Sequence, residues 1–205
     1  MPPLIPLPAR FLRELAELEE SYLRQIDPIE QSGFSGGPER WRAEREPILD
    51  AIPIGGDLLD IGCANGYLLE CLVGWGRERG IALKPYGLDQ GRRLVKLARR
   101  RQPHLADHFF VGNAWDWEPP RRFHYVYTLL DQVPPEYLAP YLRGLLARVV
   151  APGGRLIVGD YGSRSRGVPA RNVAAVLRSN GFVVSSAAEG GDARIVRFVW
   201  VERGG

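Results

Sequence analysis

Two acidic residues and two glycines stand at spacings that suit the binding of a small ligand. The stretch Leu58–Leu69 runs from apolar residues and Asp60 into a short turn flanked by Gly62 and Gly66, and apolar residues then recur at helical spacing. Glycine accepts positive φ freely and lets the backbone approach a ligand closely. A helix that begins after such a turn also offers unpaired N–H groups. We expect a ligand at this turn, with Asp60 placed to meet a cationic group on it.

A second acid, Asp89, ends the next predicted strand, about 20 residues beyond the turn. A carboxylate at such a place can accept hydrogen bonds from both hydroxyls of a ribose. The elements that must position the two acids are strand–loop–helix units, in which the carboxyl ends of parallel strands meet at one edge of a sheet. The sequence therefore predicts a ligand site at that edge.

The turn reads Asp-x-Gly-x-x-x-Gly, with Ala64 where a dinucleotide-binding turn requires its second glycine. This disfavours a pyrophosphate-binding dinucleotide site. The stretch resembles the first motif of the class I S-adenosylmethionine-dependent methyltransferases, with Ala64 replacing the middle glycine of that motif. Three further features follow in the family's order: Asp89, a Pro-Gly-Gly turn at 152–154 before a fifth strand, and a closing helix, strand and antiparallel strand.

The resemblance implies an α/β fold: a doubly wound, seven-stranded, mostly parallel sheet with an antiparallel last strand, here predicted at Arg194–Glu202. Residues 53–205 would form the S-adenosylmethionine-binding domain, and residues 1–52 an N-terminal helical extension. In the extension, Ala9–Asp27 carries leucines at helical spacing. We expect this helix to dock on its own chain as a lid; docking on a second subunit, as in a dimer, is the alternative, and the oligomeric state stays open.

The resemblance also implies which residues hold S-adenosyl-L-methionine. The expected cofactor-binding residues are Asp60, Gly62, Cys63, Ala64, Asn65, Gly66, Tyr67, Asp89, Gln90, Asn113, Ala114, Trp115, Leu129 and Leu130. Asn113 stands where the family usually has an acid, and its carboxamide can both accept from and donate to an adenine edge. Trp115 is expected to offer the adenine a flat face.

Methyl transfer from a sulfonium is an in-line displacement, so positioning can supply most of the catalysis and a dedicated base is optional. The catalytic residue stays unassigned, with Asp131 and Tyr161 as candidates. Phe34, Trp41, Asp131 and Tyr161 are the candidates for the acceptor pocket and its lid. The alternative for Trp41 is a place in the core, and the alternative for Asp131, which the sequence favours, is helix capping ahead of Pro134. No metal is expected, because the three histidines lack paired spacing.

Composition sets broader limits. A chain of 205 residues, 45% of them apolar, suffices for one well-cored domain and a short extension. The 27 basic and 24 acidic residues give a net charge of +3, which permits nucleic-acid binding without requiring it. Both cysteines lie in one local segment, which favours a reducing setting. We expect a cytoplasmic protein, because no apolar run approaches the roughly 20 residues of a membrane span and prolines interrupt the start of the chain.

Three classes of function remain open. A methyltransferase that modifies oxygen or nitrogen of a small molecule is favoured. The second class is an RNA or protein methyltransferase that uses the basic helix after Gly91, although no stacking aromatic residues are interleaved with its charges. The third is a non-catalytic, methyltransferase-like binding subunit. No Asn/Asp-Pro-Pro-Tyr/Phe motif follows the fourth predicted strand, which disfavours enzymes that methylate the amino groups of nucleic acids.

Overall fold

The computed structural model describes residues 5–192 and 195–204. Within these ranges the chain forms one seven-stranded sheet. Its strands are β1 Gly56–Ile61, β2 Leu83–Asp89, β3 Phe109–Val111, β4 Phe123–Leu129, β5 Val150–Tyr161, β6 Ser186–Glu189 and β7 Val196–Glu202. Residues 1–4 of the predicted extension and residue 205 of the predicted domain lie outside the described residues. Arg194, at the start of the predicted last strand, lies outside them as well.

The strand order is β3-β2-β1-β4-β5-β7-β6. Strands β1 to β5 run parallel to one another, and β7 runs antiparallel to both β5 and β6. This confirms the predicted α/β class with a mostly parallel sheet and an antiparallel last strand. The chain leaves β1 toward β2 and β3 on one side and later continues from β4 to β5 on the other. A sheet wound in two directions has a crevice at the carboxyl ends of the strands where the direction changes.

Six α-helices are found in the described residues: α1 Ala9–Leu23, α2 Gly37–Arg45, α3 Tyr67–Glu78, α4 Arg92–Arg101, α5 Leu138–Gly144 and α6 Val173–Ser179. Two apolar clusters cover the two faces of the sheet. Successive residues of β1 alternate between them, with Leu58 packed among α3 and α4 and Leu59 among α5 and α6. No helix of the described part of the chain is long and apolar enough to cross a membrane.

Residues before β1 join the core of the sheet. Trp41 of α2 is buried, as are Ile48 and Leu49 of the 3₁₀ turn that follows it. All three belong to the cluster that also contains Leu58 and residues of α3. The short segment between α2 and β1 therefore holds α2 close to the carboxyl edge of the sheet.

The bounds of α1, β5 and β7 differ from those predicted, and β7 begins at Val196. Helix α1 ends at Leu23 rather than Asp27. The Pro-Gly-Gly sequence lies inside β5 rather than ahead of it, because β5 begins at Val150. Gly153 has φ 72° and its N–H donates to the carbonyl of Arg203, so the strand continues through an irregularity in which glycine takes the left-handed conformation.

Candidate functional site

A cavity of about 1060 Å³ lies at the carboxyl edge of the sheet. The ends of β1, β2, β4 and β5 and the loop after β3 form its floor, and α1 and α2 form walls. The segments Ser32–Ser35 and Tyr161–Arg166 close the remaining sides. This cavity thus lies at the edge where the sequence predicts the ligand site.

The turn after β1 bends toward this cavity through residues with positive φ. Gly62 has φ 83°, and Ala64, a residue with a Cβ, has φ 46°. The left-handed conformation is strained for alanine, and a hydrogen bond from the Ala64 N–H to Oδ2 of Asp89, at 2.9 Å, holds it in place. The other oxygen of Asp89 accepts from the N–H of Gly91 at 2.7 Å. The Asp89 carboxylate is therefore fixed between the turn and the start of α4.

Asp60 is a buried acid that faces the cavity. The residue is only 2% exposed, and no described residue donates a hydrogen bond to its carboxyl group. Burial raises the pKa of Asp60 to about 7, and the nearby Asp89 carboxylate contributes to the same shift. A buried carboxyl without a partner is unfavourable unless a ligand supplies a hydrogen-bond donor or a positive charge. This position therefore suits a cationic group.

Two amide side chains border the cavity beside Asp89. Nδ2 of Asn113 donates to Oε1 of Gln90 at 2.9 Å, and Oδ1 of Asn113 accepts from the N–H of Trp115 at 3.0 Å. Both amides line the cavity. The pair places donor and acceptor groups at the ends of β2 and β3, where they can meet the edge of a heterocycle.

The cavity brings together most of the residues predicted from the sequence. Those that line it are Phe34, Trp41, Asp60, Gly62, Cys63, Ala64, Asp89, Gln90, Asn113, Ala114, Leu129, Asp131 and Tyr161. The candidate acceptor residues and the expected cofactor-binding residues thus share one continuous space.

Trp115 does not line the cavity. Its indole is buried in the core, where Nε1 donates to the carbonyl of Ile5 at 2.9 Å and the ring meets Tyr137 edge-on at 5.2 Å between centroids. Leu130 is likewise buried in the core below the cavity and lies outside its lining. The N-terminal segment thus holds the indole in the core, away from the cavity lining.

Three predicted residues of the turn lie behind the cavity surface. Asn65 donates to the carbonyl of Pro28 at 2.9 Å and thereby ties the turn to the N-terminal extension. A Cβ on Gly66 would lie 2.9 Å from the Cβ of Ala98, so this glycine lets α3 and α4 approach closely. The ring of Tyr67 lies against Trp41, with centroids 5.7 Å apart. These residues position the turn, and they do not border the cavity.

Helix α1 contributes residues that the sequence did not single out. Tyr22 lines the cavity, and burial raises its pKa to about 12; the Asp131 and Asp89 carboxylates act in the same direction. Oε1 of Glu19 accepts from the N–H of Arg93 at 2.9 Å, which fastens α1 to the start of α4. The sequence does contain a signal for Tyr22, namely its spacing. Tyr22 follows Leu15 by two helical turns and therefore lies on the same helix face as the leucine stripe.

Arg45 is a second cavity residue that the sequence did not single out. It is buried at the end of α2 and lines the cavity. Its guanidinium carbon lies 4.2 Å from the ring centroids of Phe34 and Trp41 and 4.4 Å from that of Tyr161. Arg45 follows Trp41 by four residues, so the helical period places both on one face.

The hydroxyl groups of Tyr161 and Tyr127 lie 3.0 Å apart at the ends of β5 and β4. Burial raises the pKa of Tyr127 well above its ordinary value, and the Tyr161 hydroxyl adds to the shift. Both hydroxyls are therefore neutral at physiological pH. Together with Trp41 they give the cavity an aromatic wall opposite Asp89.

No family model matches this sequence, and no curated protein matches it. Solved structures do match. An S-adenosylmethionine-dependent methyltransferase from Aquifex aeolicus is 20% identical, with a TM-score of 0.60 over 87% of this chain and 100% of the other. The magnesium protoporphyrin IX methyltransferase of Synechocystis, with S-adenosylmethionine bound, is 15% identical, with a TM-score of 0.61 over 97% of this chain and 99% of the other.

A third match is the O-methyltransferase family 2 protein from Planctomyces limnophilus in complex with apigenin, which is 14% identical with a TM-score of 0.57. The match covers 79% of this chain and 58% of that larger one. At sequence identities of 14–20%, these matches show a similarity of fold alone. The chain has the fold of the class I S-adenosylmethionine-dependent methyltransferases.

Proposed function

We propose that this protein is an S-adenosylmethionine-dependent methyltransferase that modifies an oxygen or nitrogen of a small molecule. The observation that carries the proposal is the pair of acids on either side of the glycine turn. Asp60 is buried without a hydrogen bond, and Asp89 is fixed by two backbone N–H groups. Asp60 would hold the ammonium group of the cofactor, and Asp89 would accept from its ribose hydroxyls.

The rest of the cavity fits the same group. Gln90 and Asn113 would meet the adenine edge, and the aromatic wall suits a positive charge, because ring faces attract cations. When bound, S-adenosylmethionine supplies a methyl group on a sulfonium for in-line transfer. The residues of this chain would then act chiefly by holding the acceptor in line. Asp131 and Tyr161 line the same cavity at the ends of β4 and β5 and stay the candidates for contact with the acceptor.

Two observations favour a small acceptor over a nucleic acid or a protein. The cavity of about 1060 Å³ is at the upper end of the roughly 300–1,000 Å³ of ligand sites, which suits a cofactor together with a small acceptor. Several bases of α4 are already engaged within the chain: Arg93 pairs with Glu20 at 2.7 Å, and Arg99 donates to the carbonyl of Phe109 at 2.6 Å.

S-adenosylhomocysteine is expected to bind with micromolar or tighter affinity, and NAD is not expected to bind. The turn lacks the glycine spacing that a dinucleotide requires, whereas the two acids suit a ribose and an ammonium group. Isothermal titration calorimetry with each ligand measures this directly. Tight binding of NAD with no response to S-adenosylhomocysteine would contradict the proposal. Binding without methyl transfer across a panel of small acceptors would favour a non-catalytic subunit.

The segments Phe34–Trp41 and Tyr161–Gly167 are expected to exchange their amide hydrogens more slowly when S-adenosylhomocysteine is bound. Residues of both segments border the cavity, and loops that close over a ligand lose local opening. Hydrogen exchange with and without saturating ligand is the measurement. The exposed segment Arg77–Gly80, which does not line the cavity, serves as the internal control. Unchanged exchange in both segments would exclude their role as a lid.

A further inference from the structure

Arg45 carries a positive charge into the cavity without a hydrogen bond to balance it. The residue is 7% exposed, and Nη1 has no hydrogen-bond partner in the described residues. The closest acidic group is Oε2 of Glu44, at 3.5 Å from Nη1. Leaving buried N–H groups of a charged side chain unpaired is unfavourable, and a guanidinium in such a place suits a planar anion that accepts two of its hydrogen bonds.

The Glu44 carboxylate alone does not balance the charge of Arg45, because two other arginines also contact it. Oε1 of Glu44 also lies 3.1 Å from Nε of Arg40 and 3.4 Å from Nη2 of Arg164. Arg164 in turn contacts Asp192 at 3.4 Å. Three guanidinium groups therefore face two carboxylates, and this arginine cluster, Arg40, Arg45 and Arg164, retains a net positive charge beside the cavity.

The surroundings of Arg45 are otherwise aromatic. The rings of Phe34, Trp41 and Tyr161 lie within 4.4 Å of its guanidinium carbon, measured to their centroids. Rings at this distance stabilise the cation and exclude water from it, which strengthens any ion pair formed there. A ligand group that reaches Arg45 would therefore combine a negative charge with an apolar or aromatic body.

The arginine cluster extends from beside the glycine turn to the end of β5. Arg45 packs on Trp41, which contacts Tyr67 after the turn, and on Tyr161 at the end of β5. Tyr161 ends β5 and Arg164 follows in the next loop, whereas the glycine turn and Asp89 follow β1 and β2. In the strand order, β5 is two strands from β1 and three from β2, which corresponds to about 10 Å and 14 Å. Arg164 and the Tyr161 side of Arg45 therefore lie on the side of the cavity farther from the glycine turn and Asp89, where an acceptor has room beside the cofactor.

We propose that the arginine cluster is an anion subsite that binds the carboxylate of the methyl acceptor, with Arg45 as its central residue. The acceptor is then a small carboxylic acid with an aromatic or apolar body. This assignment of a substrate class rests on the proposed function. A carboxylate fits better than a phosphate, because the cluster carries one net positive charge and the planar guanidinium matches a planar bidentate anion.

Benzoate is a suitable probe, and calorimetry on protein saturated with S-adenosylhomocysteine measures its affinity. Arg45→Met is expected to weaken benzoate binding at least 10-fold, and Arg164→Gln several-fold, with the affinity for S-adenosylhomocysteine unchanged within twofold. Arg100→Met removes an exposed arginine on α4, outside the cavity lining, and is expected to leave both affinities unchanged. Arg164 has a side chain that is 41% exposed, so its variant keeps the test open if Arg45→Met fails to fold.

The other outcomes overturn the assignment in distinguishable ways. If Arg45→Met weakens S-adenosylhomocysteine at least 10-fold but leaves 5′-methylthioadenosine unaffected, Arg45 holds the carboxylate of the cofactor itself, and the proposed function stands. Binding of inorganic phosphate in preference to benzoate replaces the carboxylate with a phosphorylated acceptor. No binding of either probe removes the subsite. If S-adenosylhomocysteine does not bind at all, the proposed function fails, and the benzoate titration on the protein alone still tests the subsite.

Discussion

At pH 8, Asp60→Asn is expected to raise the free energy of unfolding by about 2–4 kcal/mol. Asp60 is 2% exposed, and burial raises its pKa from 3.8 to about 7. The difference between the two pKa values corresponds to about 4 kcal/mol of unfavourable ionisation in the folded state. Asparagine has a similar shape and no charge, so it removes this penalty. Urea unfolding of both proteins at several pH values measures the effect.

The direction of the pH dependence follows from the raised pKa. Between pH 3.8 and pH 7 the folded protein holds a proton on Asp60 that the unfolded chain has released. The stability contributed by Asp60 is therefore present below about pH 4, falls as the pH rises through this window, and is lost above pH 7. The advantage of Asp60→Asn should accordingly shrink toward zero near pH 4. A difference that is independent of pH would show that Asp60 ionises normally.

Ligand binding should lower the raised pKa of Asp60. If the ammonium group of S-adenosylhomocysteine meets Asp60, binding favours the ionised carboxylate and lowers its pKa. The affinity of the wild type should then rise from pH 6 to pH 8, and binding at pH 6 should release a proton, visible in calorimetry as a dependence on the buffer's ionisation enthalpy. The Asp60→Asn variant should bind S-adenosylhomocysteine more weakly than the wild type at pH 8. Its affinity should not rise from pH 6 to pH 8, and its binding should release no proton. Asp107→Asn changes an exposed acid outside the cavity lining and serves as the control.

The central part of this site could be predicted because it is local in sequence. The order of an acid, a glycine turn and apolar residues at helical spacing specifies a strand, a loop and a helix without reference to the rest of the chain. Asp60, Gly62 and Asp89 therefore lie at one sheet edge, as expected, since parallel strands place their carboxyl ends together. The antiparallel last strand was predicted from the family resemblance, and the two apolar runs joined by a glycine-rich segment near the end of the chain also suit the β6–β7 hairpin.

The parts that escaped prediction depend on contacts between distant segments. Trp115 follows β3, where a ring could face the cavity. Its indole N–H instead donates to the carbonyl of Ile5, and the indole lies in the core. Arg45 and Tyr22 reach the cavity because α1 and α2 pack over the strand ends. The residues that bring α2 there, such as Ile48, are ordinary apolar residues whose partners no local pattern reveals.

Ala64 illustrates a departure from the family motif that the structure explains. An alanine with φ 46° replaces the motif's middle glycine, and its N–H donates to Asp89. The acid that the sequence predicts for a ribose therefore has a second role, because it holds the turn in its strained conformation. Any variant of Asp89 must separate these two roles.

Asp89→Ala is expected to weaken S-adenosylhomocysteine binding about 10- to 150-fold, which corresponds to roughly 1.5–3 kcal/mol for charge-assisted hydrogen bonds to two ribose hydroxyls. Loss of the bonds from Ala64 and Gly91 would also loosen the turn, so the affinity alone is insufficient. The 2′-deoxy analogue of the ligand separates the two contributions. The wild type should bind this analogue at least several-fold more weakly than S-adenosylhomocysteine, whereas Asp89→Ala should bind the two ligands equally. Equal discrimination by both proteins, each shown to be folded by circular dichroism, would mean that Asp89 supports the turn and does not contact the ribose.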